Sequence, residues 1–163
     1  LGDVYKRQDV SNAMSNPLKA TKFGLPFRHV PTYLAGYYKY KAGDQFTEGG
    51  KPVNGKRDIC DIYAIMYETS ESVPTLDGTN AFTSPNLIST ARINNAKETN
   101  EWTYFKLPFT TLPGKFIDKE KLMDGKYNIA IVFTSSLEGD HFNGAIGSTL
   151  LIDEAELIYH SED

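Results

Sequence analysis

The stretch KYNIAIVFTS, residues 126–135, decides the fold class. Its alternate residues are apolar and share one side of an extended chain: Tyr127, Ile129, Ile131 and Phe133. β-Branched and aromatic residues of this kind fit the pleated surface of a sheet, so the stretch is predicted to be a strand. The other side carries Asn128 and Thr134, but Ala130 and Val132 keep it partly apolar. A second apolar side indicates a strand that is buried from both directions or borders an occupied groove.

Five further stretches share this composition and are bounded by clusters of Gly, Pro, Asn, Asp and Ser: Thr32–Lys41, Asp58–Glu68, Leu87–Ile93, Glu101–Phe109 and Ser148–Tyr159. The connections at 42–57 and 69–86 are long and contain several Gly and Pro, which favours strands that cross between two sheets over tight hairpins. One helical turn is predicted from Asp118 to Met123, after the cap-like Asp118. We therefore predict an all-β fold, an antiparallel β-sandwich of jelly-roll type.

Composition excludes several classes of protein. The chain has 163 residues, of which 40% are hydrophobic, which is enough for one globular core. A formal charge of −4 leaves no excess of Lys and Arg to displace counterions from phosphates, so we expect no nucleic-acid partner. The longest wholly apolar run, Ile129–Phe133, is far shorter than the ~20 residues of a membrane helix, so no transmembrane segment is predicted. The single Cys60 excludes an internal disulfide framework.

The first eight residues, LGDVYKRQ, have no hydrophobic period. They resemble the read-through translation of a sequencing adapter, so residues 1–8 are interpreted as an artefactual leader of a metagenomic fragment. An ordinary disordered leader is the alternative. Residues 9–163 are predicted to form a single jelly-roll domain, since no linker or internal repeat marks a second one.

Four blocks of sequence carry a resemblance to a known family. They are GLPF at 24–27 with LAGYYKY at 34–40, DICDIYA at 58–64, WTYFKLPF at 102–109, and the segment 133–154 that ends in GAIGSTLLIDE. In this order they resemble the putative carbohydrate metabolism domain found in surface and secreted proteins of gut Bacteroidales. The resemblance spans roughly residues 24–159.

This resemblance implies a jelly roll similar to carbohydrate-binding modules, preceded in the family by a lipoprotein signal and an immunoglobulin-like domain. It implies an extracellular or outer-membrane surface location, and it brings no established catalytic residues. We expect the first one or two strands of the jelly roll to be missing from this chain.

Three rings are the leading candidates for stacking against sugar. Carbohydrate-binding modules lay rigid aromatic side chains against the apolar faces of pyranose rings. Trp102 and Tyr104 lie opposite the apolar side of their strand, and Tyr37 shares a strand face with Lys39 and Lys41. The alternative is that these rings fill the second side of the sandwich.

The segment SSLEGDHFNG, residues 135–144, is the second candidate because polar loops on rigid strands commonly contact ligands. Asp140, His141 and Asn143 are predicted to hydrogen-bond a sugar, with Phe142 packed beneath. The alternative is that Asp140 and Asn143 cap turns through their own backbone.

Asp153 alternates in phase with Leu151, Ala155 and Leu157, which would place a carboxylate on an apolar face. An unpaired buried charge costs several kcal/mol, so a partner is required. Residues 152–154 resemble the Ile-Asp-Asp motif with which jelly-roll carbohydrate-binding modules hold a structural calcium, so Asp153 is the predicted metal ligand. A buried hydrogen bond to Ser, Tyr or a backbone N–H is the alternative.

Catalysis has weaker support. A glycoside hydrolase needs two convergent carboxylates, and the spacing of the candidates on their strands selects no pair among them: Asp61, Glu68, Asp140 and Glu154. No nucleophile elbow, HExxH motif or phosphate-binding Gly loop occurs. The three histidines, His29, His141 and His160, are scattered and are interpreted as solvated side chains. Cys60 is interpreted as a buried apolar residue.

The leading hypothesis is a non-catalytic, monomeric module that binds glycan through exposed aromatic residues. A glycoside hydrolase that uses paired carboxylates is one alternative. A structural or adhesive β-sandwich that contacts protein through a flat apolar patch is the other.

Overall fold

The structure is a computed structural model and describes residues 5–9, 24–73, 76 and 81–160, with the backbone alone for residues 5–9 and Asp140. Its strands are β1 (Tyr5–Asp9), β2 (Leu25–Pro26), β3 (Val30–Lys41), β4 (Phe46–Glu48), β5 (Lys51–Pro52), β6 (Asp61–Glu68), β7 (Leu87–Arg92), β8 (Thr99–Pro108), β9 (Thr110–Thr111), β10 (Tyr127–Thr134), β11 (Gly144–Ala145) and β12 (Thr149–His160). One α-helix, α1 (Lys119–Met123), lies between β9 and β10, and a short 3₁₀ helix spans Gly139–His141.

Two antiparallel sheets form the sandwich. Sheet one has the order β1-β12-β3-β8 and sheet two the order β2-β10-β6-β7-β9. Each sheet combines strands from both halves of the chain, and the first strand pairs with the last, as in a jelly roll. The predicted antiparallel sandwich is therefore confirmed. All six predicted strands are present, and their ends differ from the prediction by at most three residues.

The N-terminal part corrects one expectation. The first strands were expected to be missing, but β1 pairs with β12 along the edge of sheet one and β2 pairs with β10 along the edge of sheet two. Short edge strands are held by backbone hydrogen bonds and carry little hydrophobic period, so their sequences gave no signal. Residues 5–8 of the expected leader thus lie in β1, and the adapter origin of residues 1–8 stays a prediction.

The main core lies between the two sheets. Leu34, Ile62, Phe105 and Leu157 are each less than a tenth exposed and belong to the same apolar cluster. The apolar side of β10 packs against this cluster through Ile129, Ile131 and Phe133, as its alternation predicts. Gly36 lets the sheets approach, because a Cβ there would come within 2.9 Å of the Phe105 ring.

The second apolar side of β10 is also covered. Ala130 packs into a cluster on the outer face of sheet two with Tyr63, Ile65 and Tyr67 of β6. Leu76 and other apolar residues of the connection between β6 and β7 close over this cluster. The prediction of a strand that is buried from both directions is confirmed.

The helical turn closes one end of the sandwich. Asp118 is the N-cap of α1, and its Oδ1 accepts a hydrogen bond of 3.0 Å from the Lys121 amide, as the sequence predicts. Leu122 packs with Met66, Ile88 and Tyr127 in a third apolar cluster. Among the described residues, no helix has the length and apolar character needed to cross a membrane.

The last strand contains an irregularity that overturns a prediction. The register between β12 and β3 shifts between Asp153 and Glu156, and Glu154 adopts a positive φ of 49°. This bulge changes which side chains face the core: Ala155 and Leu157 point inward, whereas Asp153 lies exposed opposite Tyr37. The inference of a buried, charged Asp153 is therefore wrong.

Candidate functional site

Three aromatic side chains meet on the outer face of sheet one. Tyr37 of β3 lies directly opposite Tyr104 of β8, and their ring centroids are 5.2 Å apart. Trp102 lies two residues before Tyr104, on the same side of β8, because side chains alternate along a strand. Trp102 is 45% exposed and Tyr104 51% exposed. We call Tyr37, Trp102 and Tyr104 the aromatic face.

The alternation of β3 sorts its tyrosines between the two sides of the sheet. Tyr38 and Tyr40 point inward and are 3% and 2% exposed, whereas Tyr37 is half-buried on the outside. The sequence left open which side of β3 faces the core. The structure brings together the three rings that the sequence singled out, and it gives them an outward position.

Charged side chains accompany the rings. The Lys39 Nζ lies 4.8 Å from the centre of the Trp102 ring, and the Lys106 Nζ lies 4.3 Å from that of Tyr33. A cation against an aromatic ring contributes about 0.5–1 kcal/mol at an exposed site, so these contacts restrain the rings. Asp153 follows in register on the other side of Tyr37. The face can therefore offer rigid apolar planes with donors and an acceptor beside them.

A groove of about 630 Å³ opens beside the aromatic face, between β7 and β8. Tyr38, Ile93, Phe105 and Leu107 contribute its apolar lining, and each is 9% exposed or less. Its polar lining comes mainly from the segment that follows β7 and from the exposed positions of β8: Arg92, Asn94, Asn95, Lys97, Thr103 and Lys106. Tyr104 borders the groove as well, so the groove and the aromatic face are continuous. The sequence analysis missed this groove because it depends on how two edge strands pack.

Most candidate catalytic carboxylates are bound to basic side chains or exposed. Asp61 is 3% exposed and accepts two hydrogen bonds from Arg92, of 3.2 Å from Nε to Oδ1 and 2.7 Å from Nη2 to Oδ2. Glu68 accepts a bond of 2.8 Å from Lys121 Nζ. Glu154 is exposed at the bulge of β12, in the other sheet from Asp61. These three carboxylates are not gathered as an acid and base pair.

The loop at 135–144 is built around turns. Asn143 Oδ1 accepts a hydrogen bond of 3.1 Å from the Gly49 amide, which is the turn-capping alternative. His141 lies exposed in the 3₁₀ helix, and Phe142 is 84% exposed with a positive φ of 59°, so this ring does not pack beneath the loop. The side chain of Asp140 lies outside the described residues. A sugar-binding role for Asp140, His141 and Asn143 stays a prediction.

Asp58 is the residue that sequence reasoning overlooked. It is 4% exposed, and its Oδ2 accepts hydrogen bonds from Ser136 Oγ at 2.6 Å, Ser148 Oγ at 2.7 Å and the Ala145 amide at 3.0 Å. These partners lie at both ends of the segment 136–148, so one carboxylate fixes the whole loop. The signal was available, because Asp58 begins one block of the family resemblance and its partners belong to another.

Burial controls the ionisable groups inside the sandwich. Burial raises the pKa of the Cys60 thiol to about 11 and that of Tyr40 to about 12. Cys60 is 2% exposed, which confirms its interpretation as a buried apolar residue. A thiol with a raised pKa is a poor nucleophile at neutral pH.

The predicted metal ligand has no cluster around it in the described part of the chain. No group of three or more His, Cys, Asp and Glu side chains among the described residues could hold a metal ion. Asp153 Oδ1 accepts a hydrogen bond of 2.9 Å from the Glu154 amide, which steadies the bulge. Calcium binding at Asp153 stays a prediction.

The family described as Putative carbohydrate metabolism domain matches residues 2–158. The chain belongs to this family. The match confirms the resemblance read from the four sequence blocks. It assigns the chain to a domain of carbohydrate metabolism.

This Putative carbohydrate metabolism domain is also similar to two crystal structures of proteins named putative glycoside hydrolases. The one from Bacteroides thetaiotaomicron is 84% identical with a TM-score of 0.87, and the match covers 99% of this chain and 48% of that chain. The one from Bacteroides vulgatus is 45% identical with a TM-score of 0.81, and the match covers 98% and 64%. The domain thus spans about half the length of the first protein. No curated protein matches it.

Proposed function

We propose that the chain is a non-catalytic carbohydrate-binding domain and that its aromatic face stacks against a glycan. The observation that carries this proposal is the outward grouping of Tyr37, Trp102 and Tyr104 on sheet one. Tyr and Trp rings give large contact areas at a low cost in conformational entropy, and their apolar faces complement the C–H faces of pyranose rings. Membership of the carbohydrate metabolism family supports the same ligand class.

The second candidate is glycoside hydrolysis, which the names of the two similar Bacteroides proteins favour. The contacts of Asp61 and Glu68 argue for binding instead, because both carboxylates are engaged by basic side chains. A retaining enzyme needs its two carboxyl groups about 5–5.5 Å apart, and an inverting one about 6.5–9.5 Å apart. The activity of the longer Bacteroides proteins can also reside in the part that this chain does not cover.

The test is a glycan array with plant, host and microbial polysaccharides, followed by isothermal titration of the glycans that bind. Trp102→Ala should weaken binding about tenfold or more, as expected when an anchoring ring is removed from a binding surface. Phe116→Ala is the matched control, because Phe116 is 71% exposed and lies outside the aromatic face. Binding that Trp102→Ala leaves unchanged, or an absence of binding on the whole array, contradicts the proposal.

An assay for new reducing ends separates the two candidates. The protein is incubated with each bound polysaccharide for a day, and released reducing sugar is measured. The binding proposal predicts no release above the buffer blank. Release that Asp61→Asn abolishes would instead support the hydrolase.

We also propose an extracellular or outer-membrane surface location, which a glycan-binding role requires when the polysaccharide lies outside the cell. Protease shaving of intact cells that express the complete gene should remove the domain. Full protection in intact cells, with cleavage after lysis, would contradict this location.

A further inference from the structure

We infer that the groove between β7 and β8 binds an acidic saccharide, one that carries carboxylate or sulfate groups, next to the sugar that stacks on the aromatic face. This inference rests on the proposed function and adds the chemical class of the ligand. It also assigns a second binding region, which the aromatic face alone does not include.

The charge of the groove is the first argument. Its lining contains three basic residues, Arg92, Lys97 and Lys106, and no Asp or Glu. Arg92 is balanced by Asp61, so Lys97 and Lys106 supply the net positive charge. The chain as a whole has a formal charge of −4, so this groove stands out from the rest of the molecule. A cleft lined by one sign of charge raises the local concentration of oppositely charged ligands.

The second argument is the arrangement of polar and apolar groups. Asn94 and Asn95 are exposed at the rim, where their amides can donate to and accept from sugar hydroxyls. Phe105 and Leu107 supply buried apolar surface below them. The Lys97 amide donates to Tyr38 Oη at 3.4 Å, which ties the rim to the lining beneath. Apolar walls with a few polar groups are typical of small-ligand sites, and about 630 Å³ lies within their usual range of size.

The third argument is continuity with the aromatic face. Tyr104 pairs with Tyr37 on the outside of sheet one and also borders the groove. Lys106 follows two residues later on the same side of β8 and is exposed. A polysaccharide whose neutral ring stacks on Tyr104 would thus bring a neighbouring acidic residue beside Lys106 and Lys97. This arrangement predicts a preference for chains that combine an acidic sugar with its neighbours over isolated acidic monosaccharides.

The experiment compares matched acidic and neutral polysaccharides with the whole chain. The carboxylate pair is polygalacturonate and its carboxyl-reduced form, and the sulfate pair is chondroitin sulfate and its desulfated form. Affinity is measured by isothermal titration at about 50 and 300 mM salt, alongside the glycan array. We expect at least one acidic polysaccharide to bind about tenfold more tightly than its neutral partner, with weaker binding at high salt.

The variants locate the site. Lys97→Glu should weaken binding of the acidic polysaccharide about tenfold, which corresponds to the loss of one charge-assisted hydrogen bond. Lys51→Glu is the charge-matched control, because Lys51 is exposed in β5 and does not line the groove. It should leave the affinity within about twofold of the original.

The outcomes distinguish this inference from the proposed function. Binding of neutral glycans that depends on Trp102, with no preference for their acidic partners, would overturn the acidic ligand and leave the proposed function intact. A preference for acidic glycans that Lys97→Glu and Lys51→Glu reduce equally would overturn the groove as its site. An absence of binding on the whole array would overturn both.

Discussion

The outer faces of the two sheets have similar rings and opposite fates. On sheet two, Tyr63 and Tyr67 point outward from β6, yet apolar residues of the β6–β7 connection cover them, and they are 7% and 0% exposed. On sheet one, Trp102 and Tyr104 also point outward, and about half of each ring surface stays exposed. A pattern of outward aromatic residues therefore predicts a second apolar side. Whether the chain itself covers that side decides between core and binding surface.

The largest effect should separate the two faces by stability. Tyr67→Ala removes a fully buried ring and its hydrogen bond of 3.2 Å from Asn128 Nδ2, and should lower the free energy of unfolding by about 4 kcal/mol. Tyr104→Ala should change it by less than about 1 kcal/mol, because that ring is half exposed. Urea unfolding followed by circular dichroism measures both. Equal losses would break the comparison between a covered and an open face.

A smaller effect should distinguish two carboxylates in the same way. Asp58→Ala leaves three buried or half-buried donors without their acceptor and should lower the free energy of unfolding by about 3 kcal/mol. Asp153→Ala, on the exposed bulge of sheet one, should cost less than about 1 kcal/mol. The same urea titrations apply. A stable Asp58→Ala protein would show that the loop at 136–148 is held by other contacts.

The smallest effect concerns pH and the interior. In the unfolded chain Cys60 loses its proton near pH 9.0, whereas the folded thiol keeps it until about pH 11. The unfolded state binds fewer protons in this interval, so the free energy of unfolding should fall as pH rises from about 9 to 11. Cys60→Ala should flatten this part of the profile, and Trp102→Ala on the open face should leave it unchanged. A profile that Cys60→Ala does not alter would contradict the assigned cause.

Much of the fold and part of the candidate site could be predicted from the sequence. Period-two alternation gave the six long strands, and it placed Trp102 and Tyr104 on the side of β8 opposite the core residues. The bulge at Glu154 was not predictable, because its positive φ occurs at a residue type that carries no marker for it. As a result, the phase of Asp153 was wrong.

Other features depend on contacts between distant parts of the chain. The groove forms where the edge strands β7 and β8 approach each other, and no local pattern records that distance. Asp58 meets partners that lie 78 to 90 residues further along the chain, so its role required the assembled sandwich. The cover over Tyr63 and Tyr67 likewise depends on the path of a long connection.

Trp102 offers the most direct measurement, because it is the only tryptophan of the chain and lies in the aromatic face. Its fluorescence is recorded while a polysaccharide that binds on the array is titrated, with acrylamide quenching before and after. If the outward rings engage the sugar, the emission should change saturably at the calorimetric affinity, and quenching should decrease in the complex. Unchanged emission and quenching, under conditions where calorimetry records binding, would contradict the account.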